Sequence, residues 1–183
     1  RIDPTIEDVY SRLRNRVDAQ CRVLLGRLGA GMVCGPGCSS CCTGISVRRV
    51  EYAILAGRLL ERRFRPQLGI EGDGRCAFLD GEMCSIYQER PIICRLHGLP
   101  LSYPVERFDA SGNRMAPEEV SVTWCDLNFS GRDSTEAFDA VDRIEIAPIE
   151  DRLAELDRLA FGPPIDGELL RVDLNALARM LAG

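Results

Sequence analysis

Four cysteines fall within nine residues of this chain, Cys34-Gly-Pro-Gly-Cys38-Ser-Ser-Cys41-Cys42. A thiolate every three or four residues on a turning backbone brings sulfurs to one small locus, and the intervening glycines permit the sharp path this requires. Further along, Cys76 and Cys84 flank Asp80-Gly81, a turn signal that predicts a short hairpin with the two thiols facing each other across it, as a zinc knuckle or cluster-binding hairpin presents two ligands. Cys94 follows Arg90-Pro91-Ile92-Ile93, where the proline predicts an extended approach, and Cys125 ends a β-like run from Val120 to Trp124. The chemistry these eight residues suit is metal chelation. Zinc takes four thiolates in a tetrahedron, and an iron–sulfur cluster takes four on a larger cage. The ninth cysteine, Cys21, continues the apolar stripe between Val17 and Leu24 and is expected in the core.

Other chemistries are excluded by what the chain lacks. All 23 basic residues are arginine, so a P-loop phosphate lysine, a Schiff-base lysine and a Ser-x-x-Lys pair are ruled out together. His97 is the single histidine, which excludes an H-E-x-x-H protease, a three-histidine metal site and a C2H2 finger. It is expected as a partly buried polar residue at a turn, with a ligand or supporting-donor role as the alternative. Arg48, Arg49, Arg75, Arg90 and Arg95 flank the cysteine blocks, either stabilising thiolates or forming a solvated surface. A net charge of −5, a pI near 5.1 and no basic run longer than two residues argue against a nucleic-acid or anionic-membrane footprint. No run of 18 apolar residues is present, and residues 1–31 lack the regions of an export signal. An odd number of cysteines at modest density disfavours a disulfide framework. The expected compartment is therefore cytoplasmic, where clustered thiols stay reduced and hold metal.

These side chains need elements to position them. Residues 3–29 read as a long amphipathic helix, with Asp3 as cap, Pro4 in the first turn, and Ile6, Val9, Leu13, Val17, Leu24 and Leu28 on the 3.6 period. A second helix is predicted from about Arg48 to Phe64, stopped by Pro66, and a glycine-rich loop over 66–75. Extended segments are expected on either side of residues 109–113. Two C-terminal stripes follow: Ile149, Leu153, Leu156 and Ala160 after Pro148, then Leu170, Leu174, Leu177 and Leu181. The expected architecture is a single α+β domain over 1–183. Its cysteine-rich centre, 34–125, consists of short hairpins and loops organised by metal, flanked by the helix at 3–29 and a helical segment at 134–183. That centre shows little continuous apolar pattern, so metal is expected to hold it together.

Taken together, Cys34-x3-Cys38-x2-Cys41-Cys42, Cys76-Ala-Phe-Leu-Asp, Cys84-Ser-Ile-Tyr87 and Glu89-Arg90-Pro91-Ile-Ile-Cys94-Arg95 resemble the YkgJ-type cysteine-cluster family, described as zinc- or iron-chelating. The resemblance covers about residues 34–95. It implies that Cys34, Cys38, Cys41, Cys42, Cys76, Cys84 and Cys94 are the metal-binding set; Cys125 is added from its chemistry and chain position. Ala77 stands where the family commonly has proline, and Leu96-His97 where an aromatic-proline pair is common. The spacing of Cys34, Cys38 and Cys41 is also similar to the three-cysteine motif of radical S-adenosylmethionine enzymes, and the block resembles one in flagellin lysine-N-methylases. These likenesses put an iron–sulfur cluster slightly ahead of zinc as the expected cofactor, although the chain is too short in βα alternations for a radical-enzyme barrel.

The expected function is a metal-binding protein with a structural, metal-handling or redox-sensing role, its partners being metal ions, with a protein partner left open. The alternative is an enzyme or enzyme subunit whose cluster does redox or methyl-transfer-related chemistry. Consecutive side chains diverge, so Cys41 and Cys42 are expected to serve different centres. One centre would draw mainly on Cys34, Cys38 and Cys41, the other on Cys42 with some of Cys76, Cys84, Cys94 and Cys125.

Overall fold

The computed structural model describes residues 1–67, 74–113, 115, 119–131, 138–163 and 171–183. Helix α1 spans Pro4–Leu28, its start capped by the Asp3 carboxylate, which accepts from the Thr5 amide at 2.7 Å. Tyr10, Leu13, Val17, Cys21 and Leu24 form its buried stripe, and a short 3-10 turn at Gly29–Gly31 ends it. Helix α2 is Arg49–Glu61. It stops short of the expected Phe64 because Arg63 adopts a left-handed conformation (φ 51°), and the Phe64 amide donates back to the Leu59 carbonyl at 2.9 Å.

Among the described residues, three small sheets accompany the helices. Strand β1 (Ser46–Arg48) pairs antiparallel with β7 (Arg171–Asp173), and β2 (Leu79–Asp80) with β3 (Met83–Cys84). Strand β4 (Leu101–Pro104) is central in the third, with β5 (Val120–Thr123) antiparallel on one side and β6 (Ile144–Glu145) parallel on the other. The expected extended pair around 109–113 is thus β4 and β5. Helix α3 (Ile92–Leu96) corrects the expected extended approach to Cys94: Pro91 is extended but only caps the helix that carries the cysteine. The C-terminal stripes lie on α4 (Ala147–Phe161) and α5 (Leu174–Ala182), while Leu170 and most of the glycine-rich loop fall outside the described residues.

The architecture is α+β with helices at both ends. The centre is less dependent on loops than its sequence pattern suggests, since α2 and α3 lie within it and Phe78, Ile86, Ile92 and Leu96 are buried there. Helix α2 is the wall between two apolar clusters. Val50 and Ile54 join Leu13, Val17, Ile92, Leu96 and Leu153. Leu55 and Leu59 join Val47, Phe78, Leu174, Leu177 and Leu181.

Buried charge fixes α2 against α4. The Asp157 carboxylate accepts from the Val50 amide at 2.9 Å and from two Arg49 nitrogens at 2.9 and 2.7 Å. Asp157→Ala would leave a buried amide and a guanidinium without their acceptor. A loss of about 3 kcal/mol of stability is expected, measurable as a lower denaturation midpoint.

Candidate metal centre

Two turns shape the first cysteine block: the Cys38 amide donates to the Gly35 carbonyl at 3.0 Å, and the Cys42 amide to the Ser39 carbonyl at 2.8 Å. The chain then straightens into an antiparallel contact with the approach to Cys76. Thr43 bridges Arg75, the Cys76 amide donates to the Cys42 carbonyl at 2.9 Å, and the Gly44 amide to the Gly74 carbonyl at 2.9 Å. Cys42 therefore leaves the block alongside Cys76.

Burial, above all, pushes the Cys34 thiol up to about 11 from an ordinary value of 9.0; the neighbouring Cys125 and Cys38 raise it further, against a lowering hydrogen bond from Asn128. Cys41 is likewise raised, first by burial and then by Cys125 and Cys38. Cys42 reaches about 11 through burial and its neighbours Cys41, Cys76 and Cys84. Burial raises Cys94 furthest, with Cys76, Cys84 and Cys42 adding to it and Arg90 opposing. Burial also raises Cys76, to which Cys84 adds. Cys34 and Cys41 thus neighbour Cys38 and Cys125, and Cys94 neighbours Cys42, Cys76 and Cys84. Cys41 and Cys42 touch at the boundary.

Remote elements bring each set together. The first depends on residues 125–129 docking onto 31–34: the Phe129 amide donates to the Gly31 carbonyl at 2.8 Å, and Asn128 contacts Val33 and Cys34. In the second, β2 and β3 pair Cys84 with Leu79, so Cys76 is not its cross-strand partner. Cys76 reaches Cys84 because residues 76–79 form a turn, the Leu79 amide donating to the Cys76 carbonyl at 3.1 Å. The hairpin turn sits at Gly81-Glu82, one residue later than expected, with Gly81 at φ 59°. Asn175 of α5 grips the same peptide, accepting from the Ala77 amide at 2.8 Å and donating to the Arg75 carbonyl at 3.0 Å. Helix α3, bearing Cys94, is pinned by the buried Glu51 carboxylate of α2, which accepts from the Ile92 amide at 3.0 Å and the Tyr10 hydroxyl at 3.2 Å. Burial raises that carboxyl above its ordinary range.

A cavity of about 400 Å³ opens between these segments, lined by all the clustered cysteines except Cys125, which borders an adjoining cavity with Cys41. The donor chemistry fits a thiophilic metal. Among the described residues, no three Cys, His, Asp or Glu side chains already surround a common point closely enough to hold an ion, so binding has to draw the thiols inward. Without metal, the raised thiols oppose stability in alkali. The unfolded chain ionises near 9.0 while folded Cys34 and Cys42 hold their protons to about 11, so the contribution of these thiols is full below pH 9.0 and lost as pH rises through 11. The metal-free protein is expected to show a falling denaturation midpoint across that window.

The remaining expected residues fall as follows. Cys21 is buried in α1, its thiol facing the Arg95 carbonyl at 3.7 Å at the margin of the same cavity; burial, then Asp18, raises it. His97 is partly buried at the end of α3, where its amide donates to the Ile93 carbonyl at 3.1 Å, and burial lowers its ring. Arg48 and Arg49 pair with Glu150 and Asp157, and Arg95 with Asp18. Arg90 stacks 3.6 Å over the Tyr87 ring and acts favourably on the Cys94 and Cys84 thiolates. Asn128, Asn175 and Glu51 carry no metal-ligand signature in sequence and were legible only through the fold; the nearest signal is an amide three residues after an isolated cysteine.

No curated protein and no solved structure matches the chain. Residues 33–118 do match a family model, CxxCxxCC, described as "Putative zinc- or iron-chelating domain". Cys125 lies just beyond the matched range. The segment that carries the other seven clustered cysteines is similar to this zinc- or iron-chelating family, the cysteine-cluster family that the motifs resemble.

Proposed function

We propose that the chain holds metal through eight thiolates in two sets of four, Cys34, Cys38, Cys41 and Cys125 in one, and Cys42, Cys76, Cys84 and Cys94 in the other. The observation carrying this reading is geometric: seven of the thiols line one cavity, in which the Cys42 backbone pairs with that of Cys76, while Cys125 borders the adjoining cavity beside Cys41. Iron in iron–sulfur form is the first choice, supported by a cavity of about 400 Å³, roomier than one ion needs. Zinc is the second, favoured by the tight hairpin that presents Cys84. A bound cluster would supply one-electron chemistry, and zinc a closed structural site. Four thiolates per set would leave no protein-donor position vacant, which supports a structural, redox-sensing or metal-handling role over an enzyme, and clustered reduced thiols support a cytoplasmic setting.

The test is anaerobic purification followed by absorption spectroscopy and elemental analysis. A brown protein with iron and acid-labile sulfide selects the cluster, and a colourless one with stoichiometric zinc selects zinc. A folded chain that takes up neither metal overturns the proposal.

A further inference from the structure

Asn128 is 1% exposed, and its neighbours dictate which way its amide faces. The Gly98 carbonyl can only accept, so it meets Nδ2 at 2.7 Å. The Val33 and Cys34 amides can only donate, so they meet Oδ1 at 2.9 and 3.2 Å. One Nδ2 hydrogen remains, and the Cys34 sulfur lies 3.2 Å from that nitrogen. The Asn128 backbone amide also donates to the Cys125 carbonyl at 2.8 Å. One residue therefore fastens two cysteines of the same set from opposite ends of the segment 34–125.

Gly98 closes the slot. Its φ is 92°, and a Cβ there would lie 2.8 Å from the Cys34 sulfur and 3.2 Å from Asn128 Nδ2. The sulfur is confined between glycine backbone and amide. The second set is built differently: Asn175, its corresponding clamp, bonds the backbone of Arg75 and Ala77 and has no bond to sulfur among the described residues.

We propose that Asn128 is a positioning residue for the first metal centre, holding the Cys34 sulfur by an N–H···S hydrogen bond and tuning that centre alone. This rests on the two-set reading. A donor to a ligating sulfur fixes its direction and draws off electron density, so removing it loosens the metal and changes its spectrum.

Asn128→Asp keeps an acceptor for the Val33 and Cys34 amides while removing both Nδ2 donors. The experiment is a cadmium titration of the 183-residue chain, followed by cadmium NMR. Wild-type protein is expected to bind two equivalents, and Asn128→Asp to weaken one of them about 10- to 100-fold with the other unchanged. A second measurement needs no variant: in cadmium-loaded wild type with isotope-labelled asparagine, an Asn128 side-chain hydrogen should couple to a single cadmium nucleus through the hydrogen bond. Absence of that coupling overturns the assignment, as does an Asn128→Asp protein that loses both equivalents together or neither. Wild-type binding of one equivalent would instead overturn the two-set reading.

Discussion

Complete metal removal is expected to strip hydrogen-exchange protection from residues 34–42, 76–84 and 125–129, while α1 and α4 keep theirs. The loss should be large, because structural thiolate sites in small domains contribute on the order of 10 kcal/mol to folding. The division follows from what anchors each segment. Helices α1 and α4 are fixed by Leu13, Val17, Leu153 and Leu156 in a continuous apolar cluster. Residues 34–42 have two backbone turns and partly exposed thiols, with no buried apolar side chain among them. Phe78, Ile92 and Leu96 should keep the hairpin and α3 partly attached. Protection unchanged across 34–125 after complete removal would refute a metal-organised centre.

Cys41→Ser and Cys42→Ser should each lose about half of the bound metal, and the two variants should lose spectroscopically different halves. Adjacent side chains on a straightening backbone point apart. Here the Cys41 and Cys42 thiols still contact each other, but Cys41 also neighbours Cys38 and Cys125, and Cys42 neighbours Cys76 and Cys84. Cys21→Ala is the control: it should keep all the metal and cost on the order of 1 kcal/mol through the smaller core side chain. Two serine variants with identical residual spectra would contradict the division, and loss of metal in Cys21→Ala would place that thiol among the ligands.

The long-period elements were the most legible. Asp3, Pro4 and the stripe from Leu13 to Leu24 predict α1 nearly to the residue, and the stripes on α4 and α5 are equally plain. What stayed hidden depends on distant partners. Strands β1 and β7 are three residues each and exist because Ser46 meets Asp173 from the far end of the chain. Helix α3 is five residues long, too short for a periodic signal, and its start is held by Glu51 from another helix. The expectation that Cys41 and Cys42 serve different centres comes from local backbone geometry alone. The same reading grouped Cys125 with Cys42, whereas in the structure it neighbours Cys34 and Cys41, because Phe129 and Asn128 dock onto residues 31–34.

The most direct test of the two-set account is native mass spectrometry of the 183-residue chain, loaded to saturation under anaerobic conditions. The account predicts two metal ions or two clusters per chain in wild type, falling to one in Cys34→Ser and to one in Cys84→Ser. A saturated wild-type chain holding a single ion or a single cluster would contradict it.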